Sequence, residues 1–311
     1  MNFELSYINE RARGDAFGFA EECEAVFETK TAEAAAQIAQ HLRVSPVVLL
    51  AGPSGSGKTT TAKKLSDKLE LLGVRAHTVS LDNYFLTVQP ETAPRTPEGE
   101  IDYESPAGMD MELLDAHFTR LGRGQGIQVP HFSFSQQSRV ENETEPLTLG
   151  KNEVAIFEGI HALSDRLAGR HPEAFGLYIS ARSDVSDRGV PVYRGTWTRL
   201  TRRIIRDSLF RGTGADSTLA MWANIRRGEK MYISPYKHRA HLLLDSAMPY
   251  ELAVLKRFAE PLLRSIPLGI ARHAELSAFA PSLSRFADID AAVVPAFSIL
   301  REFIGGSGFK Y

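Results

Sequence analysis

The sequence predicts an α/β fold, a three-layer sandwich in which helices cover both faces of a mostly parallel sheet. Strand-like apolar runs alternate with helical segments from Ser45 onward, as in a sheet built from strand–helix–strand units. A glycine-rich turn joins the first run to a helix, and two later runs each end in a carboxylate, Asp82 and Glu158. Because parallel strands expose their carboxyl ends at one edge of the sheet, we expect these features to meet in one site.

The chain divides into three parts. Residues 1–44 form an N-terminal appendage, with a short strand predicted over Phe3–Ile8 and an alanine-rich helix around Thr31–Leu42. Residues 45–249 form the core, and residues 250–311 form a helical C-terminal extension. The core elements are predicted, in order, as strand "SPVVLLAG", helix Lys58–Leu72, strand Val74–Leu81, helix Met109–Leu121, strands Val154–Phe157 and Leu177–Ile179, and strand "AHLLLDS".

A proline- and glutamate-rich stretch interrupts the core between Thr87 and Gly108. It reads "TVQPETAPRTPEGEIDYESPAG", which is too rich in turn-forming residues for a regular element. Long loops inside compact domains often carry function. We therefore expect this segment to be a loop over a site rather than a linker between domains.

Composition excludes several classes of protein. The 311 residues include 36 basic and 38 acidic side chains, so no global positive field exists to hold nucleic acid or an anionic membrane surface. Cys23 is the single cysteine, which rules out an intrachain disulfide, and no cysteine or histidine spacing indicates a metal site. No signal sequence or membrane-spanning run of ~18 apolar residues is apparent. We expect a cytoplasmic protein without nucleic-acid or membrane partners.

The strongest motif is "GPSGSGKTT", which matches the phosphate-binding pattern G-x-x-x-x-G-K-[ST] between a strand and a helix. Its glycines let successive N–H groups turn inward around phosphate oxygens, and the helix N-terminus adds positive potential. Lys58 would contact the β- and γ-phosphates, and the Thr59 hydroxyl would ligate Mg²⁺. The predicted ATP-binding residues are Gly52, Ser54, Gly55, Ser56, Gly57, Lys58, Thr59 and Thr60.

The two strand-terminal carboxylates suggest phosphoryl transfer. Asp82, in "HTVSLDNYF", could accept a proton from an attacking hydroxyl or hold a water on Mg²⁺. Glu158, in "EVAIFEGIHAL", could orient the metal ion directly. His161 nearby is interpreted as a hydrogen-bonded structural residue.

Six blocks in order resemble the uridine/cytidine kinase and phosphoribulokinase family of P-loop proteins: "GPSGSGKTT", "SLDNYF", "DYESPAGMD", "VPHFSFSQQSR", "VAIFEGIHAL" and "RRIIRDSLFRG". The resemblance covers about Pro46 to Met248. It implies a kinase that moves the γ-phosphoryl group of ATP, with Mg²⁺, to a primary hydroxyl, which in uridine kinases is the ribose 5′-OH. It also implies that Asp82 is the catalytic base and that Glu158 helps to position Mg²⁺.

The resemblance places the acceptor among the third and fourth blocks, where the polar residues depart from the family. Glu104 stands where the family has an aspartate that holds ribose hydroxyls, and Ser105 and Gln137 replace histidines. Phe132 replaces a tyrosine and so lacks its hydroxyl. Aromatic residues here could stack on a flat base or could simply pack in the core. The predicted acceptor-binding residues are Phe85, Tyr103, Glu104, Phe132, Phe134, Gln137 and Arg203.

The segment "RLTRRIIRDSLFRG" carries arginines at helical spacing. Guanidinium groups make bidentate, permanently charged contacts with phosphate, so they suit a helix that closes over a nucleotide. The resemblance implies a lid at about residues 188–215 in which Arg203, Arg206 and Arg211 face phosphates and the acceptor. Arg206 and Arg211 are counted as catalytic, whereas Arg199 and Arg202 are assigned to the solvated surface. A lid must open, so we expect this segment to be mobile without nucleotide.

Three functions stay open at this point. The first is a nucleoside kinase acting on a uridine- or cytidine-like acceptor. The second keeps the chemistry but takes a sugar phosphate, a pantothenate-like compound or a polyol, because a fold does not fix a substrate. The third is an ATP-binding regulatory protein; a GTPase is disfavoured, since no N-K-x-D guanine reader is present. Self-association into a homo-oligomer is also open.

Overall fold

The structure is a computed structural model that describes residues 2–267, 269 and 273–310. The N-terminal appendage differs from the sequence prediction. Strand β1 covers only Asn2–Glu4, helix α1 follows at Leu5–Arg13, and helix α2 runs over Ala16–His41. The predicted strand over Phe3–Ile8 is wrong because Leu5 and Ile8 belong to the buried face of α1. Asp15 caps α2 by accepting a hydrogen bond from the N–H of Gly18 at 2.9 Å.

The core holds a five-stranded parallel sheet with helices on both faces, which confirms the predicted α/β class. Its strand order is β10-β7-β2-β6-β3, and every neighbouring pair is parallel. The remaining strands of the described chain are β2 Val47–Ala51, β3 Arg75–Ser80, β4 Ile127–Ser133, β5 Ser138–Leu147, β6 Glu153–Gly159, β7 Phe175–Ser180, β8 Asp184–Asp187, β9 Val190–Tyr193 and β10 Leu242–Asp245. The remaining α-helices are α3 Lys58–Leu71, α4 Met111–Gly122, α5 Gly195–Phe210, α6 Ala215–Gly228, α7 Glu251–Arg264, α8 His273–Leu283 and α9 Arg301–Ile304.

Alternating residues of the central strand β2 divide the core into two packed layers. Val48 and Leu50 face a cluster that includes residues of α2, α3, α5 and α7. Val47 and Leu49 face the opposite side, where they pack with residues of α4 and β4. Strand side chains alternate between faces, so a strand buried on both sides reads as one continuous apolar run. This is the reason "VVLLA" is apolar throughout.

The β4–β5 hairpin was not predicted as an element. Its second strand, "SRVENETEPL", is exposed over most of its length, so it carries no alternating apolar signal. Its first strand contains Pro130, where the pairing register also shifts. The hairpin matters because it brings Phe132, Phe134 and Gln137 to the site described below.

The predicted loop from Thr87 to Gly108 is confirmed as irregular. Within the described residues it contains one isolated bridge, between Arg95 and Ile101, and one short 3₁₀ turn, Pro106–Gly108. The C-terminal extension is helical as predicted, and it is deeply packed: Val254, Phe279, Leu300 and Phe303 are fully buried. In the described parts of the chain, no helix combines the length and apolar character needed to span a membrane.

Candidate active site

One large cavity of about 1300 Å³ opens at the carboxyl ends of β2, β3 and β6. The glycine loop, the 87–108 loop, the β4–β5 hairpin and helix α5 all contribute to its wall, as does the C-terminal extension. The structure therefore brings together most of the residues that the sequence singled out. The predicted residues that line it are Ser54, Gly55, Gly57, Lys58, Thr59, Asp82, Phe85, Tyr103, Glu104, Phe132, Phe134, Gln137, Glu158, Arg203, Arg206 and Arg211. Gly52, Ser56 and Thr60 of the predicted ATP-binding set lie behind this surface and do not line the cavity.

The glycine loop has the backbone geometry of a phosphate cradle. Gly57 caps helix α3 in the left-handed region, with φ 83°, where a side chain would be strained. At Gly52 a Cβ atom would lie 2.1 Å from the carbonyl oxygen of Ile179, so only glycine allows β2 and β7 to approach there. Both glycines are thus required by the path of the chain.

Lys58 folds back over this loop. Its Nζ donates to the carbonyl oxygen of Gly52 at 2.9 Å and lies 3.4 Å from that of Pro53. Burial lowers the pKa of Lys58, and the nearby carboxylates of Glu158 and Asp82 oppose that shift. The two carbonyl oxygens carry only partial negative charge. A phosphate ligand would give the ammonium group a fully charged partner.

Thr59 and Glu158 form the pair that could hold a divalent ion. The Thr59 hydroxyl donates to Oε1 of Glu158 at 3.1 Å. Burial raises the pKa of Glu158 to about 7, although Lys58 favours its charged form. Hydroxyl and carboxylate oxygens are ligands that Mg²⁺ prefers. Among the described residues, no cluster of three or more histidine, cysteine or acidic side chains could hold a metal alone, so the pair fits an ion that is shared with substrate phosphates.

Asp82 lies directly after β3, in a 3₁₀ turn over Leu81–Tyr84. Its own N–H donates to the Ser80 hydroxyl at 3.2 Å, which fixes the start of the turn. Burial raises the pKa of Asp82, and Lys58, Arg211 and Arg206 oppose the shift. A carboxylate held among cations at the floor of a cavity can accept a proton from a hydroxyl group.

Three arginines of the predicted lid converge on Asp207, which is 2% exposed. Arg203 Nε lies 3.1 Å from one carboxylate oxygen, and Arg206 Nη2 and Arg211 Nε lie 2.8 and 3.8 Å from the other. Arg203 also donates to the Ser54 hydroxyl at 2.6 Å. Burial lowers the pKa of Arg203 and of Arg211. These ion pairs count against the expectation that the arginines move freely without nucleotide.

The assignment of Arg199 and Arg202 to the surface is wrong, because both are fully buried. Arg199 donates to both oxygens of Glu229, at 3.0 and 2.8 Å, and to the carbonyl of Ser54 at 3.2 Å. Arg202 donates to Glu251 at 2.7 Å and to the carbonyl of Gly55 at 3.2 Å. Their acidic partners lie 30 and 49 residues away, so the pattern of the helix alone could not reveal them. Both arginines therefore hold backbone carbonyl groups of the glycine loop in place.

Three phenylalanines form a cluster in the cavity wall, and Phe134 meets Phe85 and Phe132 edge to face. The ring centroid of Phe132 lies 5.6 Å from that of Phe85 and 5.3 Å from that of Phe134. Phe132 is 7% exposed and mainly packs, whereas Phe134 and Tyr103 are 64% and 54% exposed and can offer ring faces to a ligand.

Glu104 and Gln137 are the polar residues beside these rings. Burial raises the pKa of Glu104 to about 7, against the opposing charges of Arg203 and Lys58. Gln137 has a φ of 51° at the hairpin turn, and its carbonyl accepts a hydrogen bond from Val88 N–H at 3.0 Å. That bond ties the 87–108 loop to the hairpin.

His161 is buried, as the structural interpretation requires, but the hydrogen bonds of that interpretation are not formed. Neither ring nitrogen meets hydrogen-bond geometry, although backbone groups of Glu104 and Tyr232 lie close enough to influence its pKa. Burial lowers that pKa to about 4, so the ring is neutral. His161 does not line the cavity.

Sequence reasoning missed the contribution of the C-terminal extension. Arg301, Glu302 and Phe309 line the cavity, and Glu302 contacts Thr60 of the glycine loop. No local motif marks these residues, since their role depends on a contact across 242 positions of the chain.

Comparison with known proteins shows the family to which the chain belongs. Residues 47–252, more than half of the chain, match the Phosphoribulokinase / Uridine kinase family. A uridine kinase of Brevibacillus brevis is 30% identical over 205 residues, which cover 64% of this chain and 85% of that protein. A uridine kinase of Halobacterium salinarum is 26% identical over 196 residues, which cover 63% and 77%.

Among solved structures, a D-glycerate 3-kinase from Cryptococcus neoformans aligns over 89% of this chain and 87% of its own, with a TM-score of 0.36 and 16% identity. A TM-score this low supports no conclusion about the substrate. The family match, in contrast, includes the glycine loop, both strand-terminal carboxylates and the arginine helix. The chain therefore belongs to the phosphoribulokinase/uridine kinase family, and it is a phosphotransferase that acts on an alcohol group.

Proposed function

We propose that this protein transfers the γ-phosphoryl group of ATP to the 5′-hydroxyl of a uridine- or cytidine-like nucleoside. The observation that carries the proposal is the position of Asp82 in one cavity with Lys58, Arg206 and Arg211, between the glycine loop and the aromatic cluster. A base, a set of phosphate-binding cations and an aromatic acceptor pocket are the parts that this reaction needs.

In the proposed reaction, the acceptor hydroxyl oxygen forms a bond to the γ-phosphorus while the bond between that phosphorus and the β,γ-bridging oxygen breaks. The hydroxyl proton passes to the carboxylate of Asp82, and ADP leaves. Lys58, Arg206 and Arg211 offset the negative charge of the moving group, because ammonium and guanidinium groups in a cleft stabilise phosphate oxygens. Asp207 holds the arginines in place until phosphate competes for them.

Thr59 and Glu158 are the residues that would hold Mg²⁺ beside the phosphates. The ion, when bound, neutralises charge on the phosphate oxygens. The geometry of the pair supports this role, because the two side chains are in hydrogen-bond contact at 3.1 Å and both residues line the cavity.

A nucleoside acceptor is supported by the ring faces of Tyr103 and Phe134 and by the amide of Gln137, which can both donate to and accept from a base edge. Glu104 would accept hydrogen bonds from ribose hydroxyls. Arg203 in the same cavity favours a second candidate, an acceptor that carries its own anionic group, such as a sugar phosphate or a pantothenate-like carboxylate.

A panel of acceptors tests the proposal. The purified chain is mixed with ATP and Mg²⁺ and with uridine, cytidine, adenosine, a pentose phosphate, pantothenate or glycerate, and ADP release is followed. We expect uridine or cytidine to stimulate release most. Stimulation by an anionic acceptor alone would select the second candidate, and ATP binding without stimulation by any acceptor would indicate a regulatory protein.

A further inference from the structure

One carboxylate of the C-terminal extension, that of Glu302, contacts the end of the phosphate motif. Oε2 of Glu302, in α9, accepts hydrogen bonds from the backbone N–H of Thr60 at 3.2 Å and from the Thr60 hydroxyl at 2.6 Å. Thr60 is the third residue of α3. A side chain from the end of the chain thus binds the N-terminal turn of the helix that follows the phosphate motif.

This N–H belongs to the first turn of α3, the part of a helix that offers N–H groups to anions. The first i→i−4 bond of the helix runs from Thr61 N–H to the carbonyl of Gly57, at 3.0 Å. The N–H of Thr60 therefore precedes the helical ladder, and the N–H groups at this position of a P-loop helix are those offered to phosphate. A carboxylate that accepts from this N–H carries the same charge sign and the same acceptor chemistry as a phosphate oxygen.

The segment that carries Glu302 is firmly docked. Leu300 and Phe303, on either side of it, are fully buried, and the guanidinium of Arg202 lies 5.1 Å from the centre of the Phe303 ring. Arg301 donates to the carbonyl oxygens of Ala291 and Val294, at 3.1 and 2.5 Å. The contact between Glu302 and Thr60 is therefore supported by a folded segment and is not the chance position of a loose side chain.

The charges around Glu302 also suit a phosphate. Glu302 interacts electrostatically with the cations of Lys58 and Arg211 and with the like charge of Glu158. A nucleotide bound to the loop would bring phosphate oxygens into this environment. The phosphate would have to compete with the Glu302 carboxylate for the Thr60 N–H. A carboxylate that stayed in place would repel the phosphate.

We propose that Glu302 occupies part of the phosphate site in the nucleotide-free protein and lowers its affinity for ATP, so that nucleotide binding requires the carboxylate to leave Thr60. This inference rests on the proposed function, because it assumes that the glycine loop binds a nucleoside triphosphate. It makes the C-terminal extension a determinant of nucleotide affinity.

Titration calorimetry of the full chain with a non-hydrolysable ATP analogue and Mg²⁺ tests the inference, with adenosine as a phosphate-free probe. Glu302→Gln keeps the shape of the side chain and removes its charge, and Glu302→Ala also removes the hydrogen-bond acceptor. Glu70→Gln is the matched control, because it removes one carboxylate from the exposed far end of the same helix. Circular dichroism melting checks that each variant is folded.

We expect both Glu302 variants to bind the analogue about tenfold more tightly than the wild type, the size of effect that one charge-assisted hydrogen bond gives. The affinity for adenosine should change less than twofold, and Glu70→Gln should match the wild type for both ligands. Unchanged or weaker analogue binding by folded Glu302 variants would overturn the inference, and it would leave the kinase proposal standing if the wild type still phosphorylates its acceptor. A wild type that binds no nucleotide at all would overturn both.

Discussion

Asp82 combines two properties that a general base needs. Burial favours its neutral form, while Lys58, Arg206 and Arg211 favour its charged form, so the carboxylate is both basic and available. Its position at the end of β3 is fixed by the turn over Leu81–Tyr84 rather than by an ion pair. The role of Asp82 can therefore be tested without disturbing the fold.

We predict that Asp82→Asn lowers kcat by a factor of about 10² to 10⁴, the usual contribution of a positioned base, because an amide cannot accept the hydroxyl proton. Affinity for the ATP analogue should stay within about twofold. ADP release and calorimetry measure the two effects, and Asp67→Asn, on the exposed side of α3, serves as the control. Turnover by Asp82→Asn within tenfold of the wild type would remove Asp82 from the base role.

Glu104 couples the acceptor pocket to the pH dependence of stability. It is packed so closely against Gly228 of α6 that a Cβ atom there would lie 2.3 Å from its own Cβ. Burial, opposed by Arg203 and Lys58, raises the pKa of Glu104 from 4.5 to about 7. Between these two values the folded chain keeps a proton that the unfolded chain has released. The contribution of Glu104 to the free energy of unfolding therefore falls as pH rises from 4.5 to 7.

We predict that Glu104→Gln flattens this pH dependence by on the order of 2 kcal/mol, since the variant has no proton to lose. Urea denaturation of the nucleotide-free chain at pH 5 and pH 7.5 measures the difference. Glu98→Gln, an exposed carboxylate in the same loop, should retain the wild-type dependence. An identical pH dependence in Glu104→Gln and the wild type would show that Glu104 is already ionised at pH 5.

At the scale of elements, helix α5 illustrates how far a local pattern can be read. Its buried stripe of Leu200 and Ile204 and its arginine spacing follow from the sequence. The roles of the individual arginines do not follow from the sequence. Arg199 pairs with Glu229 and Arg202 with Glu251, and these contacts form only when the later segments of the chain pack against α5. Ion-pair partners on other elements decide which face of a charged helix is buried.

The glycine loop, the sheet and both strand-terminal carboxylates were predictable because each depends on a short, contiguous pattern. The β4–β5 hairpin was not, since most of β5 is exposed and polar, and α1 was mistaken for a strand because it is only nine residues long. The contact of Glu302 with Thr60 was also beyond the sequence, since only the folded extension brings the two residues together.

We predict that Glu251→Ala destabilises the protein by about 3 to 5 kcal/mol, because it leaves the charge of Arg202 buried without a partner. The double variant Arg202→Met with Glu251→Leu should recover most of this loss, since it removes both charges. It should still bind the ATP analogue more weakly than the wild type, because the hydrogen bond from Arg202 to the Gly55 carbonyl is gone.

Urea denaturation and calorimetry provide the two measurements for this pair. The surface pair of Arg264 and Glu260, whose side chains are 79% and 25% exposed, offers a control, and Glu260→Gln should cost less than about 1 kcal/mol. Wild-type nucleotide affinity in the double variant would show that Arg202 stabilises the fold without bracing the loop.

At the scale of the whole molecule, the N-terminal appendage and the C-terminal extension pack against each other. Glu24 of α2 accepts hydrogen bonds from the hydroxyl groups of Tyr250, at 2.7 Å, and of Ser298. Burial raises the pKa of Glu24, as expected for a carboxyl among apolar neighbours. The appendage and the extension therefore share one buried polar network, and together with α3 and α5 they cover one face of the sheet.

We predict that a fragment limited to residues 45–249 does not fold cooperatively. Val48, Leu50 and Ile156 on that face pack in the same cluster as residues of α2 and α7, and the fragment would expose them to water. Each fully buried side chain of this kind contributes about 1.5 to 3 kcal/mol, so several together exceed the stability of a typical domain. Circular dichroism melting and dye binding to exposed apolar surface compare the fragment with the full chain. A sharp unfolding transition without dye binding would show that residues 45–249 are an autonomous domain and that the flanking segments are accessory.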